Sequence, residues 1–274
     1  MIQPIGFHIR LSDEWLVTAV SANLGDFLPI AASDALGHPI TALFSDEAIH
    51  DIRNRMALLR GDGGIEHLFH YPLSGQEKPF DLAIYRDGNG FSIDAEPCDE
   101  HGFGDATGIV LGMLARIEAA LDVGPLCDEA ANQLRALTGF ERVVIFADGK
   151  VIGESARTGT DCADFAAIAV TDTDVAIVDC DAVPVAILAI DRNVAVGPRS
   201  TLRYPTVAER QALTAANAHA ALILPLICDG KAWGHVGCFH RAARHVSAER
   251  RNIARLFARI VSLRIEIAEL HRRD

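Results

Sequence analysis

The sequence predicts a mixed α/β chain in the α+β sense: two domains, each an antiparallel sheet flanked by helices, followed by one long C-terminal helix. Three observations carry this. The 274 residues, half of them hydrophobic, are enough for two ordinary cores. Strand-like runs are paired around tight-turn segments, Asp87-Gly88-Asn89-Gly90 and Asp148-Gly149, which make hairpins. A polar, Gly-rich stretch, "DEHGFGDATG" at 99–108, interrupts the pattern and marks a linker. The expected division is therefore 1–98, a linker at 99–107, a second domain at 108–246 and a helix at 247–274.

In the first domain, "GFHIRLS" and "WLVTAVS" read as strands joined at Ser12-Asp13-Glu14. "DEAIHDIRNRMALLRG" places Ile49, Ile52, Met56 and Leu59 on one helical face and ends at Gly61. "IEHLFHYPL", "FDLAIYRDG" and "GFSIDAEP" follow as a meander, the order of a small ligand-sensing or protein-binding sheet. In the second domain, "GIVLGMLARIEAALDV" and "PLCDEAANQLRALTG" read as amphipathic helices, and "ERVVIFADGKVIGESA" as a strand pair. "DVAIVDC" and "PVAILAI" are short apolar runs, "TVAERQALTAANAHA" a helix and "ALILPLICDGKAWGHVGCFH" a hairpin. In the final helix, Ile253, Leu256, Ile260, Leu263, Ile267 and Leu270 alternate at spacings of three and four. That is the a/d seam of a coiled coil, so a parallel homodimer along this helix is expected.

Composition excludes several function classes. A net charge of −12 does not suit a surface that neutralises phosphates, so nucleic acid is not an expected partner. No apolar run approaches the roughly 20 residues of a membrane span and no signal-peptide pattern opens the chain, which predicts a cytoplasmic protein. The six cysteines lack metal-knuckle or disulfide spacing and read as buried thiols. No H-E-x-x-H, G-x-S-x-G, P-loop or dinucleotide fingerprint is present, so neither an enzyme nor a metal site is expected.

Several segments together resemble one family. "IQPIGFHIRL" with "VSANLGDFL" is similar to the opening of the PAS domain in bacteriophytochromes. "RALTGFERVVIF" resembles the start of the phytochrome GAF domain, and Leu202-Arg203, a helix and then "DGKAWGHVGCFH" resemble its Leu-Arg segment and "LWGLIACHH" hairpin. The resemblance implies a PAS-like domain, a GAF-like domain holding a linear tetrapyrrole, and a helical dimer output. The family's trailing PHY domain has no counterpart here.

Set against that family, the pocket is altered. The bacterial bilin-anchoring cysteine lies upstream of the Ile-Gln-Pro segment, where this chain begins, and the alternative GAF cysteine falls on Ala208. The two pocket histidines fall on Glu209 and Phe239, the propionate serines on Ala221 and Ile223, and the pocket tyrosine on Phe146. The aspartate loop has no match, and Arg203 alone matches a propionate clamp. Each change withdraws a polar partner from a site that would bury two carboxylates and a cation. With so little chain before Ile2, an unknotted pair of domains is expected.

The reading that follows is a phytochrome-like sensory module in signal transduction, without covalent bilin and with no cofactor expected. It would act through dimerisation, a protein partner, a fused output domain or a different ligand. One alternative is a red/far-red photoreceptor that binds biliverdin noncovalently, with Glu209 as counter-ion and His219 or His240 nearby. Another is a haem- or tetrapyrrole-handling protein using one of the eleven histidines.

Overall fold

The computed structural model describes residues 1–59, 64–73, 78–88, 90–98, 104–160, 173–191 and 196–271. Asn89 of the first hairpin turn, residues 99–103 of the expected linker and Cys162 lie outside the described residues. The chain forms two compact units: Met1–Gly102 with Ala182–Tyr204, and Phe103–Asp181 with Pro205–Asp274. The sequence predicts a continuous second domain at 108–246, whereas Ala182–Tyr204 belongs to the first unit.

The first unit is built on β1 (Phe7–Ser12), β2 (Val17–Ser21), β3 (Ile65–Tyr71), β4 (Phe80–Asp87) and β5 (Gly90–Pro97), with helices α1 (Ala32–Ala35) and α2 (Asp46–Leu58). The "PVAILAI" run supplies a short strand at Ile187–Ala189, which pairs with β2. The antiparallel order is β3-β4-β5-β1-β2 and then this strand. α2 starts at Ser45, whose hydroxyl accepts a hydrogen bond from the Ala48 amide at 3.2 Å, with Asp46 and Glu47 favourably placed in its first turn. Its Ile49, Ile52 and Met56 are buried with Phe7, Ile9, Leu82, Ile84 and Ile93 of the sheet, and Leu59 packs partly against them.

The other face of this sheet carries a buried polar network. His8 Nδ1 lies 2.7 Å from Asp94 Oδ1, and Asp94 Oδ2 accepts hydrogen bonds from the Ser200 hydroxyl (2.8 Å) and the Thr201 amide (2.7 Å). Through Asp94 the 182–204 excursion is tied to β5. The excursion also holds the N-terminus: Ile2 exchanges backbone bonds with Val185 at 3.0 and 2.9 Å, and the Gln3 amide donates to Leu202 O at 2.7 Å. The first residues thus have partners on both sides, Val185 on one and Leu202 on the other.

The second unit contains α3 (Ala106–Ile117), α4 (Val123–Thr138), β6 (Arg142–Ala147), β7 (Lys150–Ala156), β8 (Val175–Ile177) and, after the excursion, α5 (Val207–Ala215). It closes on the strands Ala220–Cys228 and Lys231–His240 and the helix Ala248–His271. Numbered in chain order, with the Ile187–Ala189 strand as β9, these are β10, β11 and α6. The sheet order is β7-β6-β11-β10-β8. Asp229 and Gly230 at the β10–β11 turn both have positive φ, as do Asp148 and Gly149 at the β6–β7 turn, the pairing that suits the twist of a tight hairpin.

α3, α4 and α6 cover one face of this sheet around Leu126, Leu134, Ile145, Leu224, Val236 and Phe257. α6 is apolar on two sides. Ile253, Ala254, Phe257, Val261, Ile265 and Ala268 are buried in the core. On the other side Leu256, Leu263, Ile267 and Leu270 are exposed at 51, 60, 44 and 55%. Ile253 therefore leaves the expected seam for the core, and Ile260 is partly buried against that core. Residues 256, 260, 263, 267 and 270 keep the four-three spacing.

Candidate ligand-binding face of the second unit

The face of the second sheet opposite α3, α4 and α6 is where four of the candidate residues converge. Strand alternation puts Ala221, Ile223 and Pro225 of β10 on it, opposite Phe239, Gly237 and His235 of β11, with Val144 and Phe146 of β6 alongside. Phe146, Ala221, Ile223 and Phe239 are all buried, in one cluster with Val144, Val175, Ile177, Cys180, Leu213, Ala216 and Ala218. Four candidate residues from three strands are thus brought together, and every one is apolar.

Phe239 is fully buried on this face. Its ring lies back along β11 over residue 237, so that a Cβ added to Gly237 would sit 2.5 Å from ring atoms Cε2 and Cζ. Glycine is required there for lack of space, since its φ is not positive.

Polar side chains share the face: Arg142, opposite Phe239, and Glu154, opposite Val144, pair on it at 2.7 Å, and His235 stands beside Phe146. His235 is 5% exposed and stacked on Phe146, ring centroids 5.2 Å apart and 24° from parallel. Neither of its ring nitrogens has a hydrogen-bond partner. Burial pushes its pKa below the ordinary 6.5, so the ring is neutral near pH 7 and leaves a donor and an acceptor unsatisfied. Such a defect costs about 1–3 kcal/mol. In the sequence no H-x-E or H-E-x-x-H spacing joins His235 to the nearby His219, His240 and His245, so motif spacing gives it no role. Strand alternation from Phe239 would have placed it on this face.

The remaining candidates have other positions. Glu209 is the third residue of α5 and completes a capping box: its carboxylate accepts from the Thr206 amide at 2.7 Å, and the Thr206 hydroxyl accepts from the Glu209 amide at 3.2 Å. The expected counter-ion is thus engaged in capping its helix. His240 points away from Phe239; the Ala242 amide donates to its Nδ1 at 3.1 Å, and its ring meets Phe140 edge-on. Cys238 faces the helical core, where burial pushes its thiol up to about 12, so it is inert beside His240. His219 Nδ1 lies 3.2 Å from Asp181 Oδ2 and 3.9 Å from Asp179 Oδ1. Arg203 belongs to the first unit, where its carbonyl accepts from Gln3 Nε2 at 3.0 Å.

An antiparallel sheet with α3, α4 and α6 on one side and an apolar face packed by α5 on the other describes a class of sensory domain, and comparison with known proteins makes the class specific. Residues 122–265 match the GAF domain family and residues 1–98 match the PAS fold. The chain belongs to the GAF domain family, and with its PAS half it is a phytochrome-like PAS–GAF module. Relatives include Phytochrome E of Ipomoea nil, 22% identical over 90% of this chain and 26% of its own length. The phytochrome-like protein Cph1 of Synechocystis sp. is 24% identical over 98% of this chain and 40% of its own. The chain thus spans about a quarter to two fifths of the length of these two relatives.

In fold it is similar to the chromophore-binding domain of Stigmatella aurantiaca phytochrome P1, with a TM-score of 0.82 at 21% identity over 96% of this chain and 94% of that one. It is likewise similar to the chromophore-binding domain of the bacteriophytochrome RpBphP3 of R. palustris, at 0.80 and 22% over 98% and 96%. No described helix is long and apolar enough to cross a membrane.

Proposed function

We propose that this PAS–GAF module is a signal-transduction element that works without conventional covalent bilin photochemistry. It acts through dimerisation along α6 or through a different ligand. The observation that carries the reading is the buried apolar cluster around Phe239, which occupies the positions of four pocket candidates. Ala208 at the position of the GAF anchoring cysteine and the capping role of Glu209 point the same way.

The exposed stripe of Leu256, Leu263, Ile267 and Leu270 supports the homodimer, because an apolar four-three seam on one helix is complementary to a second copy of itself. A continuous helix of this kind passes rotation or register shift to a fused output domain or a protein partner. The test is to produce the protein with biliverdin and measure whether pigment co-elutes. Co-elution at one equivalent with a reversible red/far-red change overturns the reading, and colourless protein supports it.

A second reading, noncovalent biliverdin as in a red/far-red photoreceptor, is favoured by one observation. His235 is buried on the same face with both ring nitrogens unsatisfied, and a ligand carrying pyrrole N–H and carbonyl groups supplies the missing partners. Pigment binding lost in His235→Leu would select it.

A further inference from the structure

Asp179, Cys180, Asp181 and His219 lie outside the face just described and have no place in the proposed function. The turn after β8 brings the first three together, with the Asp181 amide donating to Asp179 Oδ1 at 3.0 Å. His219 reaches them from the residue before β10, held by backbone bonds from the Cys180 amide to its carbonyl (2.8 Å) and from its own amide to His240 O (2.9 Å). One donor atom from each of the four side chains falls within 4.8 Å of all the others. Asp181 sits between the outer pair: Oδ2 is 3.2 Å from His219 Nδ1 and Oδ1 is 3.8 Å from Cys180 Sγ.

We propose that these four residues form a binding site for a zinc-type divalent cation. Bonds of 2.0–2.3 Å to a tetrahedral zinc put its donors about 3.3–3.8 Å apart, so donors that already lie within 4.8 Å of one another close by at most about 1.5 Å. One imidazole nitrogen, one sulfur and two carboxylate oxygens select a borderline-soft ion over calcium or magnesium, which take oxygen alone. Binding forms one N–metal, one S–metal and two O–metal bonds, and the Cys180 proton leaves to solvent. The His219 and Asp181 side chains open to solvent, which gives the ion a path in, while the buried Cys180 anchors it against the apolar cluster. The rival reading of the same contacts is an ion pair of protonated His219 with the two carboxylates, which gives Cys180 no part.

The test titrates the full chain with Co²⁺ alone, and then Zn²⁺, under reducing conditions. The expected result is one equivalent of Co²⁺ with a tetrahedral visible spectrum and a near-ultraviolet thiolate charge-transfer band, both displaced by Zn²⁺. Cys180→Ser abolishes the charge-transfer band. Because Cys180 also packs in a core cluster, Asp181→Asn at an exposed position is the second variant; it weakens binding at least roughly tenfold in a protein of unchanged fold. Cys98→Ser leaves the signal intact, which separates this site from His70, Asp81 and Cys98, another group of possible ligands. No uptake, uptake without a thiolate band, a signal surviving both Cys180→Ser and Asp181→Asn, or one lost in Cys98→Ser overturns the proposal.

Discussion

Replacing Gly237 with alanine is the smallest perturbation that reports on the filled face. The new Cβ would stand 2.5 Å from two ring atoms of Phe239, far inside van der Waals contact, so the ring must move. Phe239 is fully buried, with Ala221, Ile223 and Phe146 in its cluster, so its shift propagates into neighbours; overpacking of this kind costs about 1–3 kcal/mol. Against that stands a gain of about 0.4–1 kcal/mol from the stiffer unfolded chain. Phe239→Ala alone leaves a cavity and costs about 3–5 kcal/mol. In the Phe239→Ala background the Gly237→Ala methyl no longer meets a ring, so only the gain remains. The same methyl then turns from destabilising to neutral or stabilising. Urea unfolding of the four proteins, followed by Trp233 fluorescence in a Trp15→Phe background, measures the cycle. Equal effects of Gly237→Ala in the presence and absence of the Phe239 ring would refute the packing.

Three further outcomes are expected. The Arg241 guanidinium, bonded to Glu141 at 3.0 and 3.1 Å, holds that carboxyl at about 2 instead of 4.5 against the opposing effect of burial. Because the folded value is depressed, its stabilisation is complete above about 4.5 and is lost as pH falls toward 2; Glu141→Gln costs about 1–2 kcal/mol at neutral pH and flattens that limb of the stability–pH curve. His235 has its pKa lowered by burial, so the unfolded chain binds the extra proton and stability declines as pH falls below about 6.5; His235→Leu removes this decline and raises stability by about 1–3 kcal/mol in urea unfolding. Leu263→Asp with Leu270→Asp halves the mass in light scattering with the fold intact, whereas Phe257→Asp, a charge in the core, abolishes folding.

Much of the fold was legible because its signals are local. Period-two and period-3.6 patterns gave the strands and helices, and the Asp-Gly turns gave the hairpins. The destination of the 182–204 excursion was not legible, since "PVAILAI" reads the same whichever sheet edge it joins; a backbone pairing with β2 leaves no mark in side-chain type. The same limit explains Ile253. A heptad count cannot tell which of two apolar stripes faces the core, and α6 carries both.

The site divides similarly. Phe146, Ala221, Ile223 and Phe239 were found because each stands at a family position on one strand face. Glu209 was read as a ligand group although Thr206 three residues earlier already announced a capping box. His219 belongs with Asp179, Cys180 and Asp181, a group assembled across 38 residues by the pairing of β8 with β10 and therefore without any motif spacing.

The absorption spectrum of the protein produced with biliverdin tests the central claim most directly. A face filled by Phe239 and its neighbours predicts no red-shifted protein-bound band and no change on illumination. A red band that converts reversibly to far-red would contradict it.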